Sequence, residues 1–392
     1  MSSNIINKTK KGLFGIALFA WGSMALADWP LNMTKGVTPH ANTAYELHMF
    51  SLWVSAAIGT VVFGIMIWSM IKHRKSQGAV PANFHESTSV EIAWTVVPFL
   101  ILIAFAVKAT VGLNAAEDHS KPELTIKVTG IQWKWRYEYY IDNINNNNVK
   151  NNNVKFVSSR IQAHLDASMA NDQKKIQSFG KKYLADVDNY LVVPVGTKIM
   201  FQITADDVIH SWWVPDLGLK RDAVPGVINP ISVTIPEKEA GNTFAGKCTE
   251  LCGRLHAFMP IVVKAVSKTK FKTWYAKKQA EQKAAADSDA GKDWTKEANL
   301  MVRGKDVYTK NCMACHQATG KGIPGTFPAL AGSPLVKGPA AGHLKIVIKG
   351  QKGMPAFSKL SDIDLAAVIT YERKAWGNKG SVVRPADVKA AR

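Results

Sequence analysis

The sequence predicts a multidomain chain: a two-helix transmembrane hairpin, then an all-β sandwich, then a compact all-α unit. Three observations carry that prediction. Two long apolar stretches fall in the N-terminal third, strand-like segments alternate with Pro/Gly turns in the middle, and a Cys-x-x-Cys-His motif stands between two helical patterns near the C-terminus. A length of 392 residues leaves room for two or three domains.

Residues 1–27 read as a signal peptide. Lys8, Lys10 and Lys11 form a positive start, Gly12 to Met24 is an apolar run too short to span a bilayer, and Ala25-Leu26-Ala27 offers a small-x-small cleavage site. An uncleaved anchor is the alternative. The formal charge is +19, from 49 basic and 30 acidic residues, and cleavage would leave +16. That balance suits anionic lipid surfaces or acidic partners. Nucleic acid is not expected as a partner, because no arginine-rich arm or recognition helix accompanies the charge.

Residues 28–114 hold an N-terminal segment and two membrane helices, expected at about 48–71 and 90–113. Phe50 to Ile71 is 22 residues without a charge, enough to cross a bilayer. Ile92 to Val107 is shorter, and it spans if Lys108 snorkels and the helix runs on to about Leu113. Pro98 is tolerable there as a kink. The basic loop Lys72 to Lys75 between the helices is cytoplasmic by the positive-inside rule, which leaves both ends of the mature chain outside.

The extracytoplasmic sandwich is expected over 115–267. "LTIKVTGIQWKWRYEYY" at 124–140 is rich in β-branched and aromatic residues. Strand signals return at "YLVVPVGTKIMFQITADDVIHSWWV", "INPISVTIPE" and "PIVVKAVS", and short strands with Pro/Gly turns suggest antiparallel pairing. An insertion at about 143–188 interrupts them; it begins asparagine-rich and shows weak helical periodicity at "RIQAHLDASMA". Residues 268–295, charged and Ala/Lys-rich, read as a helical linker, and 296–380 as the compact third unit.

Two motifs carry chemistry. In "CTELCGRLHAFMP", Cys248, Cys252, His256 and Met259 fall within twelve positions, and His210 ends a strand upstream. Two thiolates and two imidazoles would suit tetrahedral zinc. Met259 favours copper, for which a thioether is a common weak ligand. A Cys248–Cys252 disulfide, the default after export, would leave His256 and Met259 without a role. The second motif, "CMACH", spans Cys312 to His316. It is the covalent haem signature, in which Cys312 and Cys315 bond the haem and His316 ligates the iron. Met354 in "KGMPAF", 38 residues after His316, is available as the other axial ligand. The alternative is a redox disulfide with a chance histidine. His343, on a polar stretch, reads as a surface histidine. The four cysteines are all used, two for each site.

"EIAWTVVPFLIL", "GIQWKWRYEY", "HSWWVPDLGLKRDAVPG" and "CTELCGRLHAFMPIVV" closely resemble subunit 2 of cytochrome c oxidase, over roughly 40–268 apart from the insertion. The resemblance implies a cupredoxin sandwich holding a dicopper CuA centre. Cys248 and Cys252 would bridge both coppers, His210 and His256 would each ligate one, and Met259 and the carbonyl of Glu250 would be the weak ligands. The Glu250 side chain would reach a magnesium or manganese ion at the subunit 1 interface. Trp133, first tryptophan of "QWKW", would be the electron input point, against an ordinary strand aromatic. Trp212, Trp213 and Phe258 would exclude water or simply pack. Glu91 would stand at the mouth of a proton pathway, against a helix-cap acid. Asp206 and Asp207 match positions that dock a basic cytochrome, or are an exposed loop pair. The third unit resembles a class I cytochrome c over about 296–377. Pro328 matches the proline whose carbonyl orients the proximal histidine, and Gly304 and Tyr308 lie on the helix before the motif.

These resemblances imply the electron-input subunit of a bacterial proton-pumping terminal oxidase. Single electrons would pass from haem c to CuA and on to subunit 1, where oxygen is reduced; oxygen chemistry is not expected in this chain itself. Expected partners are subunit 1, subunit 3 and an external cytochrome or similar donor, at the plasma membrane with both redox domains outside. The alternatives are the dicopper subunit of a related nitric oxide reductase and a membrane-tethered copper or redox protein.

Overall fold

The computed structural model describes residues 32–81, 83, 85–141 and 153–392; the expected signal peptide and the most asparagine-rich part of the insertion lie outside them. Helix α1 (Pro39–Lys72) begins where Thr38 takes the N-cap. Its hydroxyl accepts from the Ala41 N–H at 3.1 Å, and Pro39 sits in the first turn, where its missing N–H costs nothing. Helix α2 (Thr88–Ala116) carries Pro98 inside. Both helices are long and apolar enough to cross a membrane, and neither apolar stretch is covered by the rest of the chain. At 34 and 29 residues they exceed the expected spans. The extra length of α1 ties the hairpin to the sandwich: Thr38 donates to the carbonyl of Leu217 at 2.8 Å, and Val37 N–H to that of Asp216 at 2.7 Å.

The sandwich has two five-stranded sheets. Its elements in chain order are β1 (Leu124–Ile131), β2 (Lys134–Tyr140), β3 (Lys155–Ser158), α3 (Gln162–Met169), α4 (Gln173–Ser178), β4 (Leu191–Pro194), β5 (Lys198–Ala205), β6 (His210–Val214), β7 (Leu219–Ala223), β8 (Asn229–Thr234), β9 (Thr243–Cys248) and β10 (Pro260–Val266). One sheet runs β3-β2-β1-β5-β8, the other β4-β10-β9-β6-β7. The sheets are not purely antiparallel as expected: β1 pairs β5, and β4 pairs β10, in parallel. Local strand signals do not report this, because parallel partners are set by long crossovers. The polar insertion is partly structured, with β3 joined to β2 and the periodic segment folded as α3.

Period-2 alternation decides which side chains enter the core. In β9 it buries Phe244, Gly246 and Cys248 and exposes the residues between. In β1 it buries Leu124, Ile126 and Val128.

Residues 268–290 form helix α5 (Lys268–Ala290), capped by Ser267. Its first two turns bury Phe271 and Tyr275 in the sandwich core, and Gln282 bonds both N–H and carbonyl of Lys155. The segment expected as a linker is thus largely laid on the sandwich. The third unit follows as α6 (Glu297–Asn311), α7 (Met313–His316), α8 (Pro334–Lys337), α9 (Ala340–Lys349), α10 (Asp362–Lys374) and α11 (Pro385–Ala391). It runs past the expected end at 380, since Val383 and Val388 are buried in its core.

Helices α6 and α10 cross at Gly304. A Cβ there would stand 2.1 Å from the carbonyl oxygen of Ala367, so only glycine lets the backbones approach. Gly304→Val should destabilise the helical unit by about 2–3 kcal/mol, an overpacking cost. Calorimetry of the full chain should show its transition fall by about 8 °C or more, with the sandwich transition unmoved; coincident melting at the original temperature would contradict this.

Candidate metal centre and haem site

The first site forms where neighbouring strands end. His210 opens β6, Cys248 closes β9, and β6 and β9 pair through Trp212 opposite Cys248. Cys252, His256 and Met259 follow in the β9–β10 connection, which a short helical turn at His256–Phe258 folds back. Backbone pairing closes the loop, as Cys248 N–H donates to the Met259 carbonyl at 3.0 Å. Gly130 on β1 lets the His210 ring lie close, because a Cβ would stand 2.7 Å from its Cδ2.

The donor atoms converge. Cys248 Sγ and Cys252 Sγ stand 3.8 Å apart, His210 Nδ1 is 3.9 Å from Cys248 Sγ, and His256 Nδ1 is 3.5 Å from Cys252 Sγ. The Glu250 carbonyl lies 3.4 Å from Cys248 Sγ. Among the described residues, His210, Cys248 and Cys252 are the cluster of metal-ligating side chains whose donor atoms lie within 4.8 Å of one another. Met259 is buried in the same core, and the Glu250 side chain points outward, exposed. The two cysteines are free thiols, and a separation of 3.8 Å is far from the roughly 2.05 Å of a disulfide. Their hydrogen bond drives the Cys248 thiol far down, against burial and helped by His210; the same bond, with burial, drives Cys252 up. Two soft thiols at bridging distance, imidazoles on either side and a buried thioether fit a soft, copper-type centre.

Asp207, expected on a docking surface, stands behind the metal site instead. Its carboxylate accepts from His210 Nε2 at 2.9 Å and from the Gln132 N–H at 2.7 Å. Burial is the largest single influence and acts to lower the His210 pKa, but Asp207 and Cys248 together outweigh it and the net direction is up. The ring is thereby fixed with Nδ1 toward Cys248. Asp206 pairs with Arg136 at 2.6 Å and with Lys359 of the helical unit.

The second site is a cavity of about 380 Å³ in the helical unit. Cys312, Cys315 and His316 line one wall, Met354 and Pro355 another, and Gln132 and Trp133 of the sandwich close part of it. His316 Nδ1 bonds the Pro328 carbonyl at 2.9 Å, which leaves Nε2 as the free ring nitrogen. Burial pushes the Cys315 thiol up to about 11 and Cys312 well above its ordinary value. A redox Cys-x-x-Cys pair needs the opposite shift, so the chemistry of these thiols fits covalent attachment of a haem. His343 is not at the surface as expected. It is 2% exposed, lines the same cavity, and its Nε2 bonds the Glu372 carboxylate at 2.9 Å. A partner 29 residues away in sequence left no local signal for this pair.

Trp133 sits in the β1–β2 turn. Its indole N–H donates to the Cys252 carbonyl at 3.1 Å, and Gln132 Nε2 donates to the same oxygen at 2.8 Å. Trp212 and Trp213 lie in β6; Trp212 is fully buried against Phe201 and packs as core, and Phe258 is partly buried. Glu91 occupies the first turn of α2, where its carboxylate accepts from the Ser87 N–H at 3.3 Å.

Family models match three stretches of the chain. The periplasmic domain of cytochrome c oxidase subunit II matches residues 124–266, its transmembrane domain 27–110, and subunit III of cbb3-type cytochrome c oxidase 299–371. The chain is 38% identical over 284 residues to a probable cytochrome c oxidase subunit 2 of Rickettsia bellii, covering 71% of this chain and 95% of that one. It is 32% identical over 263 residues to cytochrome c oxidase subunit 2 of Arabidopsis thaliana, covering 67% and 94%. Among solved structures, it is similar to the periplasmic domain of cytochrome oxidase subunit II of Bradyrhizobium japonicum, at 35% identity over 41% of this chain and 96% of that chain, with a TM-score of 0.32.

The place of Asp207 generates a test. Asp207→Ala should lower the copper affinity of the chain about 10- to 100-fold, the usual cost of losing a carboxylate behind a ligating histidine. Equilibrium copper titration is the check, and an unchanged affinity would remove Asp207 from that role.

Proposed function

The chain belongs to the cytochrome c oxidase subunit II family, and from that footing we propose that it is the electron-input subunit of a bacterial proton-pumping terminal oxidase. When bound, a dicopper CuA centre in the sandwich and a haem c in the helical unit would supply two one-electron carriers, taking electrons from an external donor toward the oxygen-reducing subunit 1. The observation that carries this reading is the position of Trp133. The indole bonds the backbone of copper-loop Cys252 and lines the haem cavity, so one side chain joins both sites.

The other residues take roles around it. Cys248, Cys252, His210 and His256 would hold the copper centre, helped by Met259 and the Glu250 carbonyl. Soft ligands in a rigid cage would keep the geometric change per electron small. The core residues around Cys248 and Cys252 exclude water. In the helical unit Cys312 and Cys315 would hold the haem and His316 and Met354 its iron; the Pro328 carbonyl fixes the His316 ring. Ligation by His and Met would raise the potential and close the iron to small ligands.

Two apolar helices with a matching transmembrane family domain place the chain in a membrane. We assign that membrane as the plasma membrane of a bacterium, with subunit 1 and subunit 3 as neighbours. The exposed Glu250 side chain faces outward, where only another chain could complete a magnesium or manganese site. Glu91 caps α2 at the cytoplasmic end of the proposed hairpin, where it would stand at the mouth of a proton pathway into subunit 1.

Cys252→Ser removes one soft bridge. The assembled oxidase should lose the dicopper optical and EPR signature and keep its haem c spectrum; an unchanged seven-line copper pattern would sink the assignment. Ending the chain after Ala286 keeps Phe271, Tyr275 and Gln282 on the sandwich, so the copper domain should survive. Oxidation of the natural donor should then collapse, and stopped-flow mixing with the full-length oxidase should show haem c reduced before or together with CuA. Copper reduced clearly first, or donor oxidation indifferent to truncation, would place the input elsewhere.

A further inference from the structure

The helical unit rests on the sandwich at the Trp133 turn. Ala314 and Cys315, inside the haem motif, pack against the sandwich core, and Trp133 is 6% exposed. Polar contacts frame this face at three points. Lys134 Nζ donates to the Lys310 carbonyl at 3.0 Å and to Asn311 Oδ1 at 2.7 Å. Arg254 donates to Thr326 Oγ1 at 2.6 Å and lies over the Phe327 ring at 5.4 Å. Lys359 reaches Asp206.

Burial ranks the three. Lys359 is 65% exposed and Arg254 is exposed, so each contact is screened and weak. Lys134 is 7% exposed, and the partners it finds are both in the helical unit. Neither is a carboxylate. Lys310 and Asn311 are the last residues of α6, where carbonyls lack intrahelical donors and the helix dipole is negative. The cation therefore pairs with one terminal helix carbonyl and one side-chain amide oxygen, and Cys312 is the next residue. Burial pulls the ammonium down to about 8, and these two acceptors are its direct hydrogen-bond partners.

We infer that Lys134 is a positioning residue: it docks the α6 C-terminus and seats the haem motif on Trp133, making the helical unit the built-in occupant of a surface that a separate electron carrier would otherwise need. The inference rests on the transfer route proposed above. In the seated state, Trp133 and Asp206 are already occupied. External donors must therefore meet the helical unit first, and undocking is what would reopen the copper domain to them.

The test uses the assembled, metal- and haem-loaded oxidase. Lys134→Met keeps the length of the side chain and removes its charge and donors. Hydrogen exchange over residues 131–135 and 310–316 reads the docking equilibrium directly. Protection should fall about tenfold or more, the scale of a lost charged hydrogen bond, while the haem c spectrum and midpoint potential stay put. Lys134→Arg should restore most of the protection. Asn311→Ala added to Lys134→Met should cost less than the two separate losses combined, since they share one contact. Unchanged protection in Lys134→Met, or strictly additive effects, would overturn the role of Lys134. Flash-induced transfer between haem c and CuA separates the two readings. Lost protection with a new slow phase supports both; lost protection with unaltered transfer leaves the latch standing and removes Trp133 docking from the electron route.

Discussion

The bond between the Trp133 indole and the Cys252 carbonyl is the constraint on which the arrangement turns. Trp133 lies in the tight β1–β2 turn, so its position is set by the register of those strands. Cys252 lies in a loop between β9 and β10, whose register is set in the other sheet. One hydrogen bond thus couples connections at the ends of interior strands in two sheets. Gln132, bonded to the same carbonyl and to Asp207, extends the coupling to His210. The loop that offers thiols and imidazoles is held by its neighbours' backbone geometry before any metal arrives, which lowers the ordering cost of binding.

Polar atoms in an apolar core need partners. Around the thiols those partners are other donor groups: each sulfur touches the other sulfur and one imidazole. Such a set is satisfied only in part by protons, because one proton between two close thiols favours one and penalises the other. A soft cation held by these thiols would take the place of that proton. In the haem cavity the reverse holds. Buried neutral thiols, a histidine with one nitrogen committed to Pro328, and a partly buried methionine suit a large apolar group that bonds covalently.

Much of this was legible in the sequence where the signal is local. The apolar runs, the β-branched and aromatic richness of 124–140, "CMACH" and the Cys248–Met259 spacing each declare themselves within a few residues, whereas β9 carried no such signal. What was not legible is relational. Asp207 reads as an exposed loop acid until β6 turns His210 back over it. His343 reads as surface because its partner Glu372 is on another helix. The parallel pairs β1/β5 and β4/β10 leave no mark in either strand alone. Helix α5 hides its function in composition: Phe271 and Tyr275 stand four apart among lysines and alanines, a narrow apolar stripe that an average over the segment dilutes.

That stripe changes how the fusion works. A flexible tether would only raise the local concentration of the helical unit, and its advantage would fall with length. Here α5 is fixed to the sandwich as far as Gln282 and stays helical to Ala290, so only residues 291–296 lie outside a helix before Glu297. The helical unit is then delivered within a narrow range of orientations, and little ordering entropy is left for docking to overcome. With so little to overcome, one buried cation and two exposed contacts are enough to choose the seated orientation, and a docking face far smaller than two separate proteins require can serve. The membrane hairpin acts in the same sense. Thr38 and Val37 bind it to the 216–217 turn that follows β6, so the hairpin is tied to the strand that His210 opens.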